Sequence, residues 1–467
     1  MATQIEQKPL FPQLPVGQEV IFVVSNSTIV AGFTNVRFIA DVYISDTTAI
    51  SPTTTSVPTA TFKTTPNNAG VGIFDFRQVV ESYVSADNMA FNNSEYKGIE
   101  TTDNTPHPIH LIDKYSRNKK AVRWLTIQFK TQYTDASGGV VTPEVEFQVS
   151  IDYQLFNGYL KYSDILTMGI APNANDFGFS LTNFNLSAPT NRFLTNAPAT
   201  QYANLEDYGT LAYLAPNGNL SYIKLIYKNS SNVQIGTENI ERNFANGAYN
   251  NFGSETRKGL VYFGCFPANL MRDGTSIFAG LVSAGTIQGG SIVVQAFNAS
   301  DAAISKAYTI NINCPDLKGF ESIRLCWLNQ WGAWDYYTFT KKSARSISTK
   351  GSTYEQLAGT WNEAAYRVDS YKGGKKSFRV NATEKITMNT DFVSESENVM
   401  FEELINSPEV YILDGYQTDA NFSALNQYVI PVRLTTSSFT KKTVANDKLI
   451  QYSFEVEKSK TLRTQSV

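Results

Sequence analysis

Alternation of apolar and polar residues is the dominant pattern in this chain, and it predicts strands. In residues 36–44 every even position is apolar, while Arg37 and Asp41 fall on the opposite face. Residues 145–153 alternate without a break, with Val, Phe, Val, Ile and Tyr at the odd positions. A period of two residues is that of a half-buried strand. We therefore expect a strand in both segments, and the second is the clearest in the chain.

Further strands are predicted where apolar or alternating runs are short and bounded by turn residues. They are residues 122–129, 221–227, 259–266, 291–297, 307–312, 377–388, 428–434 and 449–457. Pro431 has no N–H to donate to a ladder, so we expect it on an edge strand. The dipeptide Asn157-Gly158 predicts a tight hairpin turn, because both residues tolerate a positive φ.

Two helices are predicted from apolar residues repeating at three and four positions. Each begins with the pattern of a capping box, formed by Asp75 with Gln78 and by Ser394 with Glu397. Pro408 ends the second helix, which we expect over residues 394–406. The two apolar stripes are Phe76, Val79, Val80 and Tyr83, and Met400, Phe401, Leu404 and Ile405.

Composition and length turn these elements into a fold class. The chain has 467 residues, enough for about three domains, with 17% charged and 13% aromatic residues. We expect a mainly β protein: tandem antiparallel β-sandwich-like modules followed by a mixed α+β C-terminal module. The expected division is a first module with an N-terminal arm (1–170), an extended connector (171–210), a second module closed by residues 323–339 (211–343) and the C-terminal module (344–467).

Three polar stretches are expected outside the sheets. Residues 46–65 are rich in Thr, Ser and Pro and predict a long surface loop. Residues 341–350 are basic and rich in Ser, and they predict a hinge before the C-terminal module. The residues from about 459 onward predict a loose tail.

Charge and cysteine usage restrict the partners and the compartment. The formal net charge is −3, so nothing favours a nucleic-acid partner, which would require a basic surface. No run of about 18 apolar residues exists and the start of the chain is polar, so we expect neither membrane insertion nor a secretion signal. The odd number of cysteines, Cys265, Cys314 and Cys326, predicts buried thiols in a reducing cytoplasm.

Candidate chemistry is sparse. The two histidines, His107 and His110, stand close enough to chelate a metal, but a polar loop without nearby cysteine favours a surface loop over a metal site. No nucleophile elbow, Walker loop, dinucleotide fingerprint or EF-hand loop is present. Paired carboxylates carry no specificity among 42 acidic residues. We therefore expect no enzyme activity, no cofactor and no metal.

One dense aromatic cluster remains as a candidate contact site. It consists of Trp327, Trp331, Trp334, Tyr336 and Tyr337, with Phe339 beside them. Exposed rings could bind a glycan or form the centre of an interface between proteins. The alternative is that the rings fill the interior of a module or the seam between modules. We favour the second interpretation.

Several short runs carry a resemblance to known proteins. They are residues 155–159 (LFNGY), 193–198 (FLTNAP), 327–335 (WLNQWGAWD), 402–411 (EELINSPEVY) and 430–432 (IPV). In this order they resemble tail structural proteins of tailed bacteriophages that infect Bacteroidetes-type hosts. The resemblance covers about residues 150–457 and is looser before them.

The resemblance implies a function without a reaction. It implies a virion structural protein, a building block of the tail, baseplate or tail-to-capsid region, which is synthesised in the host cytoplasm. Its partners would be other copies of itself in a ring and neighbouring virion tail proteins. The alternative is a receptor- or glycan-binding virion protein that uses the Trp327 to Phe339 cluster on a host surface glycan. A depolymerase is a third and weaker alternative.

Overall fold

The computed structural model describes residues 3–45, 50–53, 56–86, 108–110, 112, 115–118, 121–142, 148–163, 182–215, 219–241, 259–271, 275–313, 320–415, 428–443 and 449–466. Strands account for 45% and helices for 12% of the structure, which confirms the mainly β prediction. The chain forms two compact units. The first comprises Met1–Cys314, Leu328–Asp335 and Tyr416–Asn426, and the second comprises Pro315–Trp327, Tyr336–Gly415 and Gln427–Val467.

The first unit begins with two sheets around one hydrophobic core. Its elements are β1 (Gln4–Gln7), β2 (Gln13–Pro15), β3 (Ile21–Ser25), α1 (Ser27–Gly32), β4 (Thr34–Ser45), β5 (Ala60–Thr64), β6 (Val71–Asp75), α2 (Arg77–Tyr83), β7 (Tyr115–Asn118), β8 (Val122–Thr134), β9 (Val140–Val141), β10 (Gln148–Val149) and β11 (Tyr153–Phe156). One sheet has the order β1-β3-β6 and the other β2-β11-β8-β4-β5, with β9 and β10 on β8. Phe22, Phe38, Phe74 and Phe129 share the core, so both sheets contribute to it.

A second core follows in the same unit. Its elements are β12 (Thr200–Ala203), β13 (Thr210–Ala215), β14 (Tyr222–Lys228), β15 (Gln234–Glu241), β16 (Gly259–Gly264), α3 (Pro267–Met271), α4 (Ile277–Ser283), β17 (Ser291–Phe297) and β18 (Tyr308–Ile312). The sheets have the orders β12-β18-β17-β14-β15 and β13-β16-β7. Leu186 and Phe193 are buried in this core. The described part of the predicted connector 171–210 is therefore packed rather than extended, because its apolar side chains have a core to enter.

The second unit contains one eight-stranded sheet and a helix. Its elements are β19 (Ile323–Leu328), β20 (Trp334–Phe339), β21 (Ala344–Gln356), β22 (Gly374–Asn389), α5 (Asn398–Asn406), β23 (Val410–Leu413), β24 (Val429–Leu434), β25 (Ser453–Lys458) and β26 (Leu462–Ser466). The last residue of β19 and the first two of β20 belong to the first unit. The order is β20-β19-β23-β24-β25-β22-β21, with β26 on β22. Phe401 of α5 packs on Tyr452 and Phe454, and the predicted capping box of Ser394 and Glu397 is present. A helix on a sheet agrees with the expected α+β character.

The predicted strand 145–153 is interrupted, so this prediction is wrong in its second half. Residues 143–147 lie outside the described residues. Ser150 exchanges hydrogen bonds with the backbone of Ile127, whose N–H donates to the Ser150 hydroxyl at 3.0 Å and whose carbonyl accepts from the Ser150 N–H at 2.8 Å. This arrangement buries Ser150 and exposes Ile151, the reverse of the sequence pattern. Pairing resumes only at Tyr153.

Four further predictions are corrected by the pairing of strands. The described part of loop 46–65 includes β5, which pairs with β4. The hinge predicted over residues 341–350 is the start of β21, and the predicted tail contains β26. Residues 323–339 form β19 and β20 of the C-terminal sheet instead of closing the second module, because β19 pairs with β23. In the first three cases backbone pairing forms a strand from side chains that show no apolar alternation. In the fourth case the strands were predicted but assigned to the wrong sheet.

Two local predictions also differ from the structure. Pro431 lies in β24, between β23 and β25, and not on an edge strand. The Pro431 carbonyl accepts a hydrogen bond from the Ser459 N–H at 3.1 Å. Pairing of β24 with β25 begins only at Val432, so the N–H that proline lacks is not needed for this ladder. At α2 no capping box with Gln78 forms; instead the Asp75 carboxylate accepts the Arg77 N–H at 3.0 Å.

None of the helices in the described ranges has the length and apolar character needed to cross a membrane.

Candidate functional site

The predicted aromatic cluster lies on the hairpin of β19 and β20, whose turn is built around Asn329. The Asn329 Oδ1 accepts the N–H groups of Trp331 and Ala333, each at 3.0 Å, and its Nδ2 donates to the Leu194 carbonyl at 3.1 Å. Gly332 has a φ of +74°, a conformation that strains residues with a side chain. The run Asn-Gln-Trp-Gly therefore folds as a tight turn fixed by one side chain.

A second run that carries the resemblance contacts this turn through backbone atoms. A Cβ atom added at Gly332 would lie 1.8 Å from the carbonyl oxygen of Asn157. The Tyr159 N–H donates to the Gln330 carbonyl at 2.9 Å. A Cβ atom at Gly158 would lie 3.0 Å from the same Gln330 oxygen. The two segments are thus interlocked at distances that only glycine permits.

The hairpin turn predicted at Asn157-Gly158 is not formed. The chain bends there, and the Gly158 N–H donates to the Phe156 carbonyl at 2.9 Å, but within the described residues no antiparallel strand follows β11 to complete a hairpin. Gly158 is outside the left-handed region. Glycine is favoured at this position by close contacts and not by its φ angle, since a Cβ atom would lie 2.4 Å from the Phe156 ring and 3.0 Å from the Gln330 carbonyl.

Four of the five candidate contact residues are buried, with exposed fractions between 0% and 4%, and Tyr337 is half-buried. Trp331 and Trp334 belong to the first unit, whereas Trp327, Tyr336 and Tyr337 belong to the second. The structure therefore does not bring the five rings together as an exposed platform. Their burial favours the interpretation that the rings fill the interior.

Individual contacts show what these rings do. Trp331 packs on Phe184 with ring centroids 4.2 Å apart. In the second unit the Arg324 guanidinium lies 5.2 Å from the centre of the Tyr336 ring, and Tyr337 packs edge-on against Phe401 of α5 at 5.0 Å. Such contacts stabilise packing between elements of each unit.

Asp335 is a buried carboxyl beside the turn. The Thr195 hydroxyl donates to its Oδ1, and its Oδ2 accepts no hydrogen bond from the described residues. Burial raises the pKa of Asp335 to about 6, while hydrogen bonds from Thr195 and Asn329 oppose this rise. Because each of these partners is internal, the carboxyl holds the segment at Thr195 against the turn.

The candidate metal and thiol residues are placed as follows. His110 is buried, which corrects the expectation of a surface loop at this residue, and His107 lies outside the described residues. Within the described ranges, no three His, Cys, Asp or Glu side chains are grouped as metal ligands would be. Cys265 and Cys326 are buried free thiols, as predicted, and burial raises the pKa of Cys326. Cys314 lies outside the described residues.

A long β-ribbon, formed by β21 and β22, is the first of two exposed features that the sequence did not reveal. All 13 residues of β21 pair with β22, and no strand among the described residues pairs with the other side of β21. The first ten residues of β21 are all exposed, on both faces. β25 covers β22 only at residues 385–389, and β26 only near residues 379–382. The ribbon therefore presents an unpaired edge about 40 Å long.

The ribbon tip, residues 357–373 between β21 and β22, displays large apolar side chains on an ordered turn. Their exposed fractions run from 64% to 83%, and they are Leu357, Trp361, Tyr366, Val368 and Tyr371. The Thr360 N–H donates to the Arg367 carbonyl at 3.0 Å and the Asp369 N–H to the Ala358 carbonyl at 2.9 Å. Backbone hydrogen bonds thus fix the turn while its apolar side chains face solvent.

Ion pairs fix the base of the ribbon. Arg345 of β21 binds the carboxylates of Glu321 and Glu384, the latter at 2.8 Å, and Lys458 binds Glu384 at 2.8 Å. The Glu321 carboxylate, and then Glu384, raise the pKa of Arg345, while Lys458 and Arg345 lower the pKa of Glu384. The network joins β21, β22 and β25, so the ribbon leaves the sheet from a fixed base.

The second feature is the N-terminal groove, a cavity of about 550 Å³ in the first unit. Its apolar wall includes Leu10, Phe11 and Leu160, and the exposed rings of Tyr159 and Tyr162 stand at its rim. Its charged residues are Lys8, Glu19 and Arg77. Its volume falls within the range of clefts that bind ligands or peptide side chains.

Sequence reasoning missed the tip and the groove for different reasons. Residues 357–371 contain Leu, Trp, Tyr, Val and Tyr, but without a period of two or of 3.6, so no pattern marked them as an element. The groove joins residues from the start of the chain with Tyr159 and Tyr162, which are remote in sequence. The chain matches no protein-family model, no curated protein and no solved structure.

Proposed function

We propose that this chain is a non-enzymatic virion structural protein of a tailed phage, a homo-oligomeric building block of the tail, baseplate or tail-to-capsid region. The short runs that resemble phage tail proteins support this assignment, as does one structural observation above all. That observation is the exposed β-ribbon with its apolar tip. Its partners are other copies of the chain and neighbouring virion proteins.

The ribbon supports the proposal because it is not explained by the folding of its own chain. Its outer end, residues 353–356 of β21 with residues 374–377 of β22, has only these two strands in the described structure, and a two-stranded arrangement is marginally stable in water. The exposed residues of β21 also bury no apolar surface against the sheet. An open edge is also a template for unwanted pairing, which proteins usually cover or shorten. A protein that assembles with others gains from such an arm, since the partner covers both the edge and the apolar tip.

The glycan-binding alternative has weaker support. It depended on exposed rings in the Trp327 to Phe339 cluster, and the tryptophans of that cluster are buried. A sugar could reach Trp331 only by displacing Phe184 and the packing around it. Assembly through protein–protein contacts is therefore the better-supported proposal for this chain.

Four measurements test the proposal. Sedimentation velocity and negative-stain electron microscopy of the purified chain should find closed rings, and antibodies against the chain should label the tail region of intact particles. A glycan array should show no binding. A chain that remains monomeric at all concentrations and leaves particles unlabelled would exclude the structural role, whereas strong glycan binding would favour the alternative.

A further inference from the structure

We infer that the ribbon tip of one copy inserts into the N-terminal groove of the next copy. The inference rests on the proposed function, because it names the contact by which the homo-oligomer forms. The tip is a protruding apolar knob, and the groove is a recess whose lining combines apolar side chains with polar and charged ones. Both belong to the same chain, so each copy has one of each to offer.

The amount of apolar surface on the tip favours an interface. Aromatic side chains bury about 150–250 Å² each, so the three rings of the tip alone expose on the order of 400 Å². Monomeric proteins rarely leave more than a few hundred Å² of contiguous apolar surface uncovered. A stable interface covers about 800 Å² on each partner, and the tip supplies about half of that. Trp361 is 83% exposed and is the natural anchor of the contact.

The tip is prepared for binding by its own backbone. Gly359 lies under the Tyr366 ring, where a Cβ atom would approach the ring within 2.7 Å and the Arg367 carbonyl within 2.1 Å. Gly373 has a φ of +95° and closes the turn onto Ala358. An ordered turn loses less conformational entropy on binding than a free loop would, so less of the binding free energy is lost in ordering its rings.

The groove complements the tip in size and in charge. Its volume of about 550 Å³ admits several side chains, and its wall of Leu10, Phe11 and Leu160 matches apolar contents. Lys8 makes no ion pair with any described residue. On the tip, the one ion pair of Glu363 with a described residue is to exposed Arg367, at 3.6 Å. A Lys8 to Glu363 pair at the rim of the contact would orient the tip in the groove.

A contact between two different features, the tip of one copy and the groove of the next, is a head-to-tail contact. Such contacts produce a ring when the rotation closes and a filament when it does not. A contact of two identical tips would instead stop at a dimer. The arrangement of the two features therefore selects the ring or filament class of assembly over the simple dimer.

Single substitutions in exposed positions test the contact without disturbing the fold. Trp361→Ser on the tip and Leu10→Asp in the groove should each weaken self-association by on the order of 30-fold or more, as expected for the anchor of an interface. Tyr202→Ser is the matched control, since Tyr202 is 60% exposed and belongs to neither feature. Circular dichroism spectra should be unchanged in all three, as should thermal unfolding at concentrations low enough for the wild type to be monomeric, and sedimentation velocity measures the assembly.

A mixing experiment identifies the two surfaces as partners. Trp361→Ser keeps its groove and Leu10→Asp keeps its tip, so an equimolar mixture should form dimers of one copy of each and grow no further. Wild-type-like assembly by either variant, or a mixture that stays monomeric, would overturn the inference while leaving the proposed function in place. A wild-type chain that never self-associates would instead remove the homo-oligomer itself.

Discussion

Asp335 provides a quantitative test of the packing around the aromatic turn. Burial raises its pKa from 3.8 to about 6. The folded state therefore holds the proton more tightly than the unfolded state. The contribution of the protonated carboxyl to stability is complete below about pH 4 and is lost as the pH rises through about 6. The difference between the two pKa values corresponds to about 3 kcal/mol of unfolding free energy.

Asp335→Asn removes this titration and keeps the shape of the side chain. The Thr195 hydroxyl can still donate to the amide oxygen, but the amide N–H₂ would occupy the position of Oδ2, which has no hydrogen-bond partner in the described structure. A buried donor without a partner costs about 1–3 kcal/mol. We therefore expect the variant to be less stable than the wild type below about pH 4 and equal or more stable above about pH 7.

Urea unfolding of both proteins across this pH range, followed by tryptophan fluorescence, measures the effect. Asp301→Asn is the control in the same unit, because hydrogen bonds from Tyr222 and then Lys224 lower the pKa of Asp301 at the surface. A carboxylate of lowered pKa contributes stability that is lost as the pH falls, so removing it changes the pH dependence in the opposite direction. Parallel stability curves for wild type and Asp335→Asn would refute the reasoning.

Three further substitutions and measurements follow from the packing. Gly332→Ala should lower the free energy of unfolding by at least about 2 kcal/mol, because alanine is strained at positive φ and its Cβ would overlap the Asn157 carbonyl; calorimetry measures the loss. Phe401→Ala should cost about 3–5 kcal/mol in urea unfolding through the cavity it leaves, whereas Val399→Ala on the exposed side of α5 should change stability by less than about 0.5 kcal/mol. Cys326 should resist alkylation in the native protein and react after unfolding, as peptide mapping would detect, because it is buried and its pKa is raised.

The sequence predicted strands well where one face of the strand is buried. β14, β17 and β18 lie within a residue or two of their predicted limits, and the alternation of β14 reappears as alternating burial. The helix after Ser394 was predicted with its cap and its apolar stripe, because both are local. Local patterns of this kind carry their own physical cause.

Prediction failed where pairing with a remote segment decides the structure. β21 is exposed on both faces, so its Ser, Thr and Lys residues carry no alternation and resembled a hinge. The Ser150 hydroxyl accepts a hydrogen bond from the Ile127 N–H, which buries Ser150, and the pattern of residues 145–153 does not predict this bond. The candidate aromatic residues were recognised as a cluster, but their division between two units depends on long-range packing. The ribbon tip and the N-terminal groove require the three-dimensional structure.

The interlock between Gly332 and Asn157 also changes the weight of the resemblance to phage tail proteins. The runs around residues 155–159 and 327–335 are more than 160 positions apart, yet they touch through backbone atoms that leave no room for a side chain. A side chain at Gly332 is therefore tolerated only if the backbone at Asn157 moves away. If another protein has similar sequences in both runs, the two similarities reflect one shared contact and are not independent of each other. A search for distant relatives of this chain should require the pair together.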